Sequence, residues 1–398
     1  HEPHDRFEVP VVLPGLFDTH THFGGTSCPE IQDDLAAFAP GYFPIVYERF
    51  ACAVRMARDA LCAGVTRVRE VGSDFSQPLA HVLASGMYPG PHFHYASFAL
   101  GITGGHADEQ YEDLDAFASR HSSGAYHGKS GLCDGPADCV RRVREQLRAQ
   151  SDVIKVMATG GVLSAFDQPV DQELSYEEVR AVVEEAARAR REVAAHCHGA
   201  RGIANAIRAG VRTIEHGSYG NLTLWQQAKA AGVRYTPTIS ITQTFNASVR
   251  PSDYDKRQWA KGQEVLQHHT RSVRAAVEAG VTITTGTDCP FGSCAGVAGE
   301  VAYLHDLFGL SSLEALRAAT ADAPLAMGDL GMAPLSGQLR RGYVADVLAM
   351  DVDPLKDIHA LTKPEHITHV WKAGALFKRP GNAAAVCGTA GLHALPRR

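Results

Sequence analysis

Hydrophobic and polar positions follow two patterns that alternate along the chain. Short runs rich in Val, Ile and Thr are each followed by a longer segment whose apolar residues recur at helical spacing. The runs predict eight strands, at residues 11–18, 65–70, 92–98, 152–158, 192–196, 212–215, 234–237 and 281–285. The longer segments predict helices between them, among others at residues 47–63, 137–149, 175–191, 199–209, 223–231 and 263–279.

Eight strand–helix units favour an α/β fold of the (β/α)8 TIM-barrel type, whose functional residues lie at the C-terminal ends of the strands. An open doubly wound sheet is the alternative for such an alternation. After Pro334, short strand-like runs joined by turns predict a small β-sandwich-like appendage. We therefore expect a remnant of a small β domain at 1–14, a barrel at 15–330, the small β domain at 331–378 and a C-terminal tail at 379–398.

Composition and charge exclude several classes of protein. The chain of 398 residues is 45% hydrophobic and 21% charged, and it has no apolar run near the roughly 20 residues that a membrane span needs. Its net charge is -6 and it has no basic block, so neither a membrane nor a nucleic acid is an expected partner.

The cysteines give the expectation for the cellular compartment. Nine cysteines are far fewer than a disulfide-stapled domain of this length would have, and an odd number cannot all pair within one chain. Reduced thiols and a cytoplasmic location are therefore the expectation, although removal of a signal peptide would leave the same sequence.

A pair of histidines ends the first predicted strand. His20 and His22 are two residues apart, so both imidazoles point to one side of the strand, which in a barrel is the lumen. A metal site and a structural histidine pair are both compatible with this spacing.

Four further metal-capable residues occupy matching positions. Lys155 lies in an otherwise apolar strand, where a bare ammonium is costly to bury. Carboxylation by CO₂ would turn it into an anion able to bridge two metal ions, whereas the alternative is a lysine that extends to the strand end. His196 and His216 end the fifth and sixth strands, and Asp288 follows the eighth. Each alone could be a capping or core residue, but five strands that bring such groups to one barrel end favour a metal site.

These residues resemble those of a known family. The motif Pro-Gly-Leu-Phe-Asp-Thr-His-Thr-His, followed in order by Lys155, His196, His216 and Asp288, is similar to the binuclear type of the amidohydrolase superfamily. The resemblance covers residues 11–374. The run Ala-Leu-Gly-Ile-Thr-Gly-Gly-His that ends at His106 looks like the branch of metal-dependent prolidases, carboxypeptidase-like dipeptidases and ochratoxinase-type amidases, which is related to imidazolonepropionase-like proteins.

The resemblance implies a mechanism and a substrate class. Two divalent ions, zinc by expectation, would be held by His20 with His22 and by His196 with His216, and bridged by carboxylated Lys155 and an attacking hydroxide. Asp288 would be both a metal ligand and the proton shuttle. The implied substrate is a small molecule or dipeptide, namely a peptidyl or N-acyl amino acid hydrolysed at its amide bond.

Substrate contacts and supporting residues are less specific. His198 is the rival of His196 for the ligand position, and the expected substrate-binding residues are His106, His198 and Tyr235. Asp18 is expected to support the site. The neighbouring histidines 268 and 269, in a predicted helix, are expected at the surface.

Two other functions compete with amide hydrolysis. An imidazolonepropionase-like ring-opening hydrolase or a deaminase would work at one metal without the strand-four lysine, so Lys155 argues against it. A noncatalytic barrel scaffold would be expected to have lost ligand residues.

One departure from the family concerns the N-terminus. Family members usually carry several β-strands before the first histidine pair, whereas 19 residues precede His20 here. We therefore expect a small domain that is incomplete at its N-terminus, and a homo-oligomer in which a second chain covers the exposed strands.

Overall fold

Strands separated by helices make up most of the computed structural model, which describes residues 8–23, 43–73, 75–108, 131–164, 167–248, 256–289, 296–331, 333–380 and 387. In chain order, the strands are β1 (Val11–Pro14), β2 (Leu16–Thr21), β3 (Val65–Glu70), β4 (His92–Tyr95), β5 (Ala99–Leu100), β6 (Val153–Met157), β7 (Glu192–Cys197), β8 (Thr213–His216), β9 (Arg234–Thr236), β10 (Val347–Met350), β11 (Ile367–Lys372) and β12 (Ala375–Lys378).

Two parallel sheets contain strands β2 to β9. One has the order β2-β3-β4 and the other β5-β6-β7-β8-β9. Residues 281–289, which were predicted to contain the eighth strand, form no continuous strand but connect the two sheets. The Tyr235 amide donates to Thr282 O (2.9 Å), and the Thr19 amide donates to Thr285 O (2.9 Å). These hydrogen bonds join β9 to β2, so the strands follow the order that the predicted barrel requires.

Helices connect the strands close to the predicted positions. They are α1 (Phe43–Cys62), α2 (Ser76–Ala84), α3 (Pro136–Arg148), α4 (Tyr176–Arg188), α5 (Ala200–Ala209), α6 (Leu222–Ala230), α7 (Ile239–Thr244), α8 (Lys256–Ala279), α9 (Val297–Asp306), α10 (Ser312–Ala318) and α11 (Pro324–Met327). Short 3-10 turns occur at Ala333–Leu335, Ile358–Thr362 and Pro364–His366. Individual residues fix the ends of several helices. Ser175 and Glu178 form a capping box at the start of α4, and Gly210 ends α5 in the left-handed conformation.

The first predicted strand is divided between two sheets. Gly15 separates β1 from β2, and a Cβ atom at this glycine would lie 2.1 Å from Thr66 Oγ1, so only glycine allows the close approach. β1 joins the antiparallel sheet β1-β10-β11-β12, whereas β2 joins the parallel strands. The division into domains at residues 14, 330 and 378 stays a prediction, and most of the predicted tail lies outside the described residues.

The hydrophobic core lies between the parallel strands and their covering helices. It is formed by completely buried side chains such as Val68 on β3, Ile154 on β6, Val182 on α4 and Val273 on α8. Burial of such side chains on both faces of the strands is typical of parallel sheets. Among the described helices, none is both long and apolar enough to cross a membrane.

The cysteines differ from the expectation. Among the described residues, Cys197 is the one free cysteine, and the others are in disulfide bonds, namely Cys62 with Cys387, Cys133 with Cys139, and also Cys52 and Cys289. The prediction of reduced thiols is therefore wrong. A low cysteine content excludes a small disulfide-rich domain, but it does not exclude individual disulfide bonds in a large one. Disulfide bonds persist in oxidising compartments and are rare in the cytosol. They remove the reason for expecting a cytoplasmic location.

Two disulfide bonds have both cysteines among the described residues, and we expect them to contribute unequally to stability. Cys62–Cys387 spans 325 residues and Cys133–Cys139 spans 6, and closing a longer loop removes more entropy from the unfolded chain. Cys387→Ser should therefore lower the free energy of unfolding by about 2–4 kcal/mol, and Cys139→Ser by less. Urea titrations followed by tryptophan fluorescence measure both values. Equal unfolding midpoints for the two variants would contradict the expectation.

Candidate metal centre

Four imidazoles meet at the C-terminal ends of three parallel strands. His20 and His22, at the end of β2, have ring centroids 5.3 Å apart. The ring of His20 lies 4.8 Å from that of His216 at the end of β8, and His216 lies 4.6 Å from His196 on β7. The structure thus brings together all four histidines that the sequence predicted as metal ligands.

The first two rings are each held by a protein acceptor at Nδ1. His22 Nδ1 lies 2.7 Å from Gly72 O, and His20 Nδ1 lies 2.7 Å from Glu215 Oε2. Carbonyl and carboxylate oxygens accept hydrogen bonds, so Nδ1 carries the proton in both rings. Burial also lowers the pKa of His22 to about 4. A ring whose single proton is at Nδ1 has its lone pair at Nε2.

The other two rings follow the same rule. His196 Nε2 donates to Gly160 O (3.1 Å), which leaves the lone pair at Nδ1. His216 Nδ1 lies 2.7 Å from Thr238 Oγ1, whose hydroxyl donates to Pro237 O (2.7 Å), so Nε2 of His216 keeps the lone pair. Burial lowers the pKa of both imidazoles well below the usual value. Metal-binding histidines are commonly oriented in this way through their second nitrogen.

Asp288 and Lys155 lie against these rings. Asp288 Oδ1 is 3.3 Å from His20 Nε2 and 3.4 Å from His22 Nε2, and Lys155 Nζ is 3.5 Å from His20 Nε2. Ligand atoms of His20, His216 and Asp288 lie within 4.8 Å of one another. These three residues could hold one metal ion, since imidazole nitrogen and carboxylate oxygen are both zinc ligands.

Burial and charge set the protonation of Asp288 and Lys155. Burial alone would raise the pKa of Asp288, but the His20 charge and hydrogen bond, with the charges of His22 and Lys155, hold that pKa well below its usual range. Burial lowers the pKa of Lys155 to about 8. The site therefore contains a carboxylate and an amine that is partly neutral near physiological pH.

Left-handed backbone conformations occur at three of these positions. The φ angles are 64° at His216, 57° at Asp288 and 51° at Thr238. Such values are uncommon outside glycine, and for a β-branched threonine they are outliers. Each costs on the order of 1–3 kcal/mol and persists only where the surroundings fix it, which happens most often at functional sites.

Sequence reasoning missed a buried ion pair behind His20. Arg69 Nη2 donates to Glu215 Oε1 at 2.7 Å, and both side chains are completely buried. Although burial raises the pKa of Glu215, the Arg69 charge and the His20 hydrogen bond lower it to about 2. The resulting carboxylate keeps the proton of His20 at Nδ1. Glu215 carried a usable signal, because it is a charged residue in a buried strand, as Lys155 is.

Asp18 connects β2 to the segment that contains Asp288. Its carboxylate accepts hydrogen bonds from the Thr287 amide (3.0 Å) and hydroxyl (2.6 Å). Burial raises the pKa of Asp18 to about 6. Through these contacts Asp18 holds Thr287, the residue before Asp288, and its expected role in supporting the site stays a prediction.

His198 lies beside the four imidazoles. Its ring stacks on His216 at 5.0 Å and lies 4.8 Å from His196. Its Nδ1 contacts the Ser218 hydroxyl at 2.7 Å, a partner that can donate or accept. A carbonyl fixes the lone pair of His196, whereas a hydroxyl leaves the proton position of His198 open. The choice of His196 over His198 as the ligand stays a prediction.

His106 covers the same group from the loop after β5. Its ring is 4.5 Å from that of His196, and its Nδ1 lies 2.9 Å from Ser164 Oγ and 3.6 Å from Asp167 Oδ2. Gly161 provides the space, because a Cβ atom there would lie 2.1 Å from the His106 ring.

Two further sequence-predicted positions differ from the expectation. Tyr235 is completely buried, and its hydroxyl donates to His216 O (2.7 Å), so the structure gives it a supporting contact rather than a place beside His106 and His198. His269 is also completely buried, so its expected surface position is wrong. The reason is that its face of the long helix α8 packs on the loop after β8, where it reaches Ser218.

Known proteins share this sequence and fold. The sequence model of the Amidohydrolase family matches residues 11–376. Ochratoxinase from Aspergillus niger is 39% identical over 382 residues, which cover 94% of this chain and 77% of that protein. The crystal structure of A. niger ochratoxinase superposes with a TM-score of 0.82 at 38% identity, covering 96% of this chain and 86% of the other.

Two solved structures extend the comparison. A Xaa-Pro dipeptidase with methionine bound in its active site has a TM-score of 0.78 at 30% identity, and the match covers 92% of this chain and 86% of that chain. A prolidase complexed with N-methylphosphonate-L-proline has a TM-score of 0.77 at 28% identity, with coverage of 92% and 87%. With the family match, these structures confirm a TIM-barrel-like α/β fold. The chain therefore belongs to the amidohydrolase family and is a hydrolase that acts on amide bonds.

Proposed function

We propose that the enzyme hydrolyses the amide bond of a peptidyl or N-acyl amino acid that carries a free carboxylate. The observation that carries this proposal is the group of four imidazoles around Asp288 and Lys155, in which a protein acceptor orients each ring. The dipeptidase and prolidase relatives, whose structures contain methionine and a proline derivative, support an amino-acid substrate.

Two divalent metal ions, zinc in this proposal, fit the donor set. His20 and His22 would hold one ion and His196 and His216 the other, because each of these rings has one nitrogen with a free lone pair. The carboxylate of Asp288 would add an oxygen ligand. Ions at these donors would lower the pKa of a water molecule and polarise the amide carbonyl.

Lys155 is proposed to join the two halves of the site as a carbamate. Its neutral amine would attack CO₂, form a new C–N bond and lose one proton, which leaves an anion with two oxygen donors. Burial supports this step because the lowered pKa supplies the neutral amine. The 3.5 Å distance to His20 Nε2 puts the amine beside the first pair of histidines.

Asp288 is proposed to move the proton. Its carboxylate accepts a proton from the attacking water and then gives it to the departing nitrogen, so the amine leaves as a neutral molecule. The Thr287 hydrogen bonds to Asp18 hold the backbone next to Asp288 in place during both transfers.

His106 is the group that we assign to the substrate carboxylate. Burial lowers the pKa of His106 to about 4 despite the Asp167 carboxylate 3.6 Å from its Nδ1, so the ring would meet the anion as a neutral hydrogen-bond donor. The Ser164 hydroxyl, 2.9 Å from Nδ1, can donate to that nitrogen, which places the proton of the ring at the other one. The ring also lies over the His196 side of the site. Recognition by His106 would therefore position the amide bond next to Asp288 and the imidazoles.

Amidation of the substrate carboxylate tests this substrate class. Loss of a charged hydrogen bond costs about 1.5–3 kcal/mol, so kcat/KM should fall by roughly one to two orders of magnitude. A panel of dipeptides and N-acyl amino acids, each with its C-terminal amide, measures the ratio. Equal cleavage of both forms, or a clear preference for lactones over every amide, would refute carboxylate recognition.

A further inference from the structure

Three buried side chains form a hydrogen-bonded chain from the site into helix α8. His198 Nδ1 lies 2.7 Å from Ser218 Oγ, and Ser218 Oγ lies 3.2 Å from His269 Nδ1. All three residues are buried. Helix α8 is fixed to the same loop independently, because the Ser272 hydroxyl donates to Gly217 O (2.6 Å). The histidine is therefore not needed to attach the helix.

The direction of these two hydrogen bonds determines where His198 carries its proton. The Ser218 hydroxyl has one hydrogen, and these two rings are its hydrogen-bond partners among the described residues, so it donates to one ring and accepts from the other. If it donates to His198, then His198 is protonated at Nε2 and His269 at Nδ1. If it donates to His269, the two protons lie at Nδ1 of His198 and at Nε2 of His269.

The far side of His269 distinguishes the two directions. His269 Nε2 is buried and has no hydrogen-bond partner among the residues that the structure describes. A proton on this atom would be a buried N–H without an acceptor, which folded proteins rarely tolerate. Burial also lowers the pKa of His269 to about 3, so the ring carries a single proton. That proton belongs at Nδ1, from which it is donated to Ser218.

We propose that His269, acting through Ser218, presents His198 as an Nε2–H donor to the oxygen of the scissile amide carbonyl. This inference rests on the proposed amide hydrolysis. His198 stacks on His216 and lies beside His196, so its ring is next to the proposed metal ligands, where the carbonyl would react. Negative charge develops on the carbonyl oxygen as water adds, so this hydrogen bond strengthens toward the transition state. His269 touches no substrate and is a positioning residue.

Two substitutions of the same shape separate this role from packing. His269→Asn keeps an N–H donor near the position of Nδ1, whereas His269→Asp offers only acceptors once it is ionised. Ser218 would then donate to the carboxylate, and His198 would have to carry its proton at Nδ1. At pH 8.5, kcat on a dipeptide should fall about 10- to 100-fold in the Asp variant and less than about threefold in the Asn variant, while KM changes little in both.

The controls exclude trivial causes of that difference. Metal content and secondary structure, measured by circular dichroism, should match between the two variants, because both keep the side chain at residue 269 short and polar. A kcat that falls equally in both variants, or a loss that appears in KM alone, would overturn the proposal.

A spectroscopic measurement determines the proton positions in this hydrogen-bonded chain independently of catalysis. Long-range ¹⁵N–¹H correlation on histidine-labelled enzyme reports the protonated nitrogen of each neutral ring, and His198→Gln identifies the signal of residue 198. We expect Nε2–H in the wild type and Nδ1–H in His269→Asp. A proton at Nδ1 of His198 in the wild type would overturn the proposal. If the enzyme cleaved no amide while the tautomer result held, the proposed function would fail and the proton position would stand.

Discussion

Asp288→Asn is expected to lower kcat by about 10²–10⁴-fold, the usual effect of removing a general acid–base group. Asparagine keeps the size of the side chain and one oxygen toward His20 and His22 but cannot accept a proton. The neighbouring charges make Asp288 a carboxylate, so the wild-type group is ready to take a proton from water. Steady-state rates on a dipeptide, normalised to measured metal content, give the ratio.

A matched control uses a buried aspartate outside the site. Asp346 accepts hydrogen bonds from the Ala373 amide (2.8 Å) and faces His92 at 3.1 Å, so Asp346→Asn perturbs a comparable polar cluster. That variant should lose stability but keep kcat within about twofold, because it contacts none of the reacting groups. Near-normal turnover of Asp288→Asn at full metal occupancy would show that another residue carries the proton.

The order of strands and helices could be predicted because apolar residues recur at a different spacing in strands than in helices. Six predicted helices and seven predicted strands have counterparts in the structure, with α4 and β3 as examples. The eighth strand was harder to predict. Residues 281–289 make backbone hydrogen bonds to strands of two different sheets, and Asp288, in the left-handed conformation, interrupts the extended backbone. The split of the first strand at Gly15 depends on contact with Thr66, which no local pattern reveals.

The positions of the proposed ligands were predictable for a different reason. Parallel strands end at one edge, so residues at strand ends, such as His196 and His216, must lie close together whatever the packing in between. The partners of the residues that orient these ligands cannot be predicted in this way. Glu215 orients His20 from another strand, and His269 comes from a helix far along the chain, where a buried and an exposed histidine have the same local sequence signature.

Replacement of Lys155 is the second change with a large expected effect. Lys155→Ala should reduce the metal content from nearly two ions per chain toward one, and kcat/KM should fall by about 10³-fold, equivalent to roughly 4 kcal/mol. The reason is that Asp288, the other anion beside His20 Nε2, lies against the pair His20 and His22 at 3.3 and 3.4 Å, so the carbamate is the group proposed to join this pair to His196 and His216. Elemental analysis after reconstitution and initial rates on the same sample measure both quantities.

The control is a solvent-exposed lysine outside the site. Lys229 on α6 donates to Ala279 O (3.1 Å), and Lys229→Ala should leave metal content and rate unchanged. A small carboxylic acid such as propionate should partly restore activity to Lys155→Ala, because it can occupy the space of the missing carbamate, and it should do nothing for the wild type. Carbon-13 CO₂ should also give a carbamate NMR signal that disappears in Lys155→Ala. One metal per chain in the wild type, with Lys155→Ala fully active, would mean that a single ion suffices and would leave the lysine with a structural role.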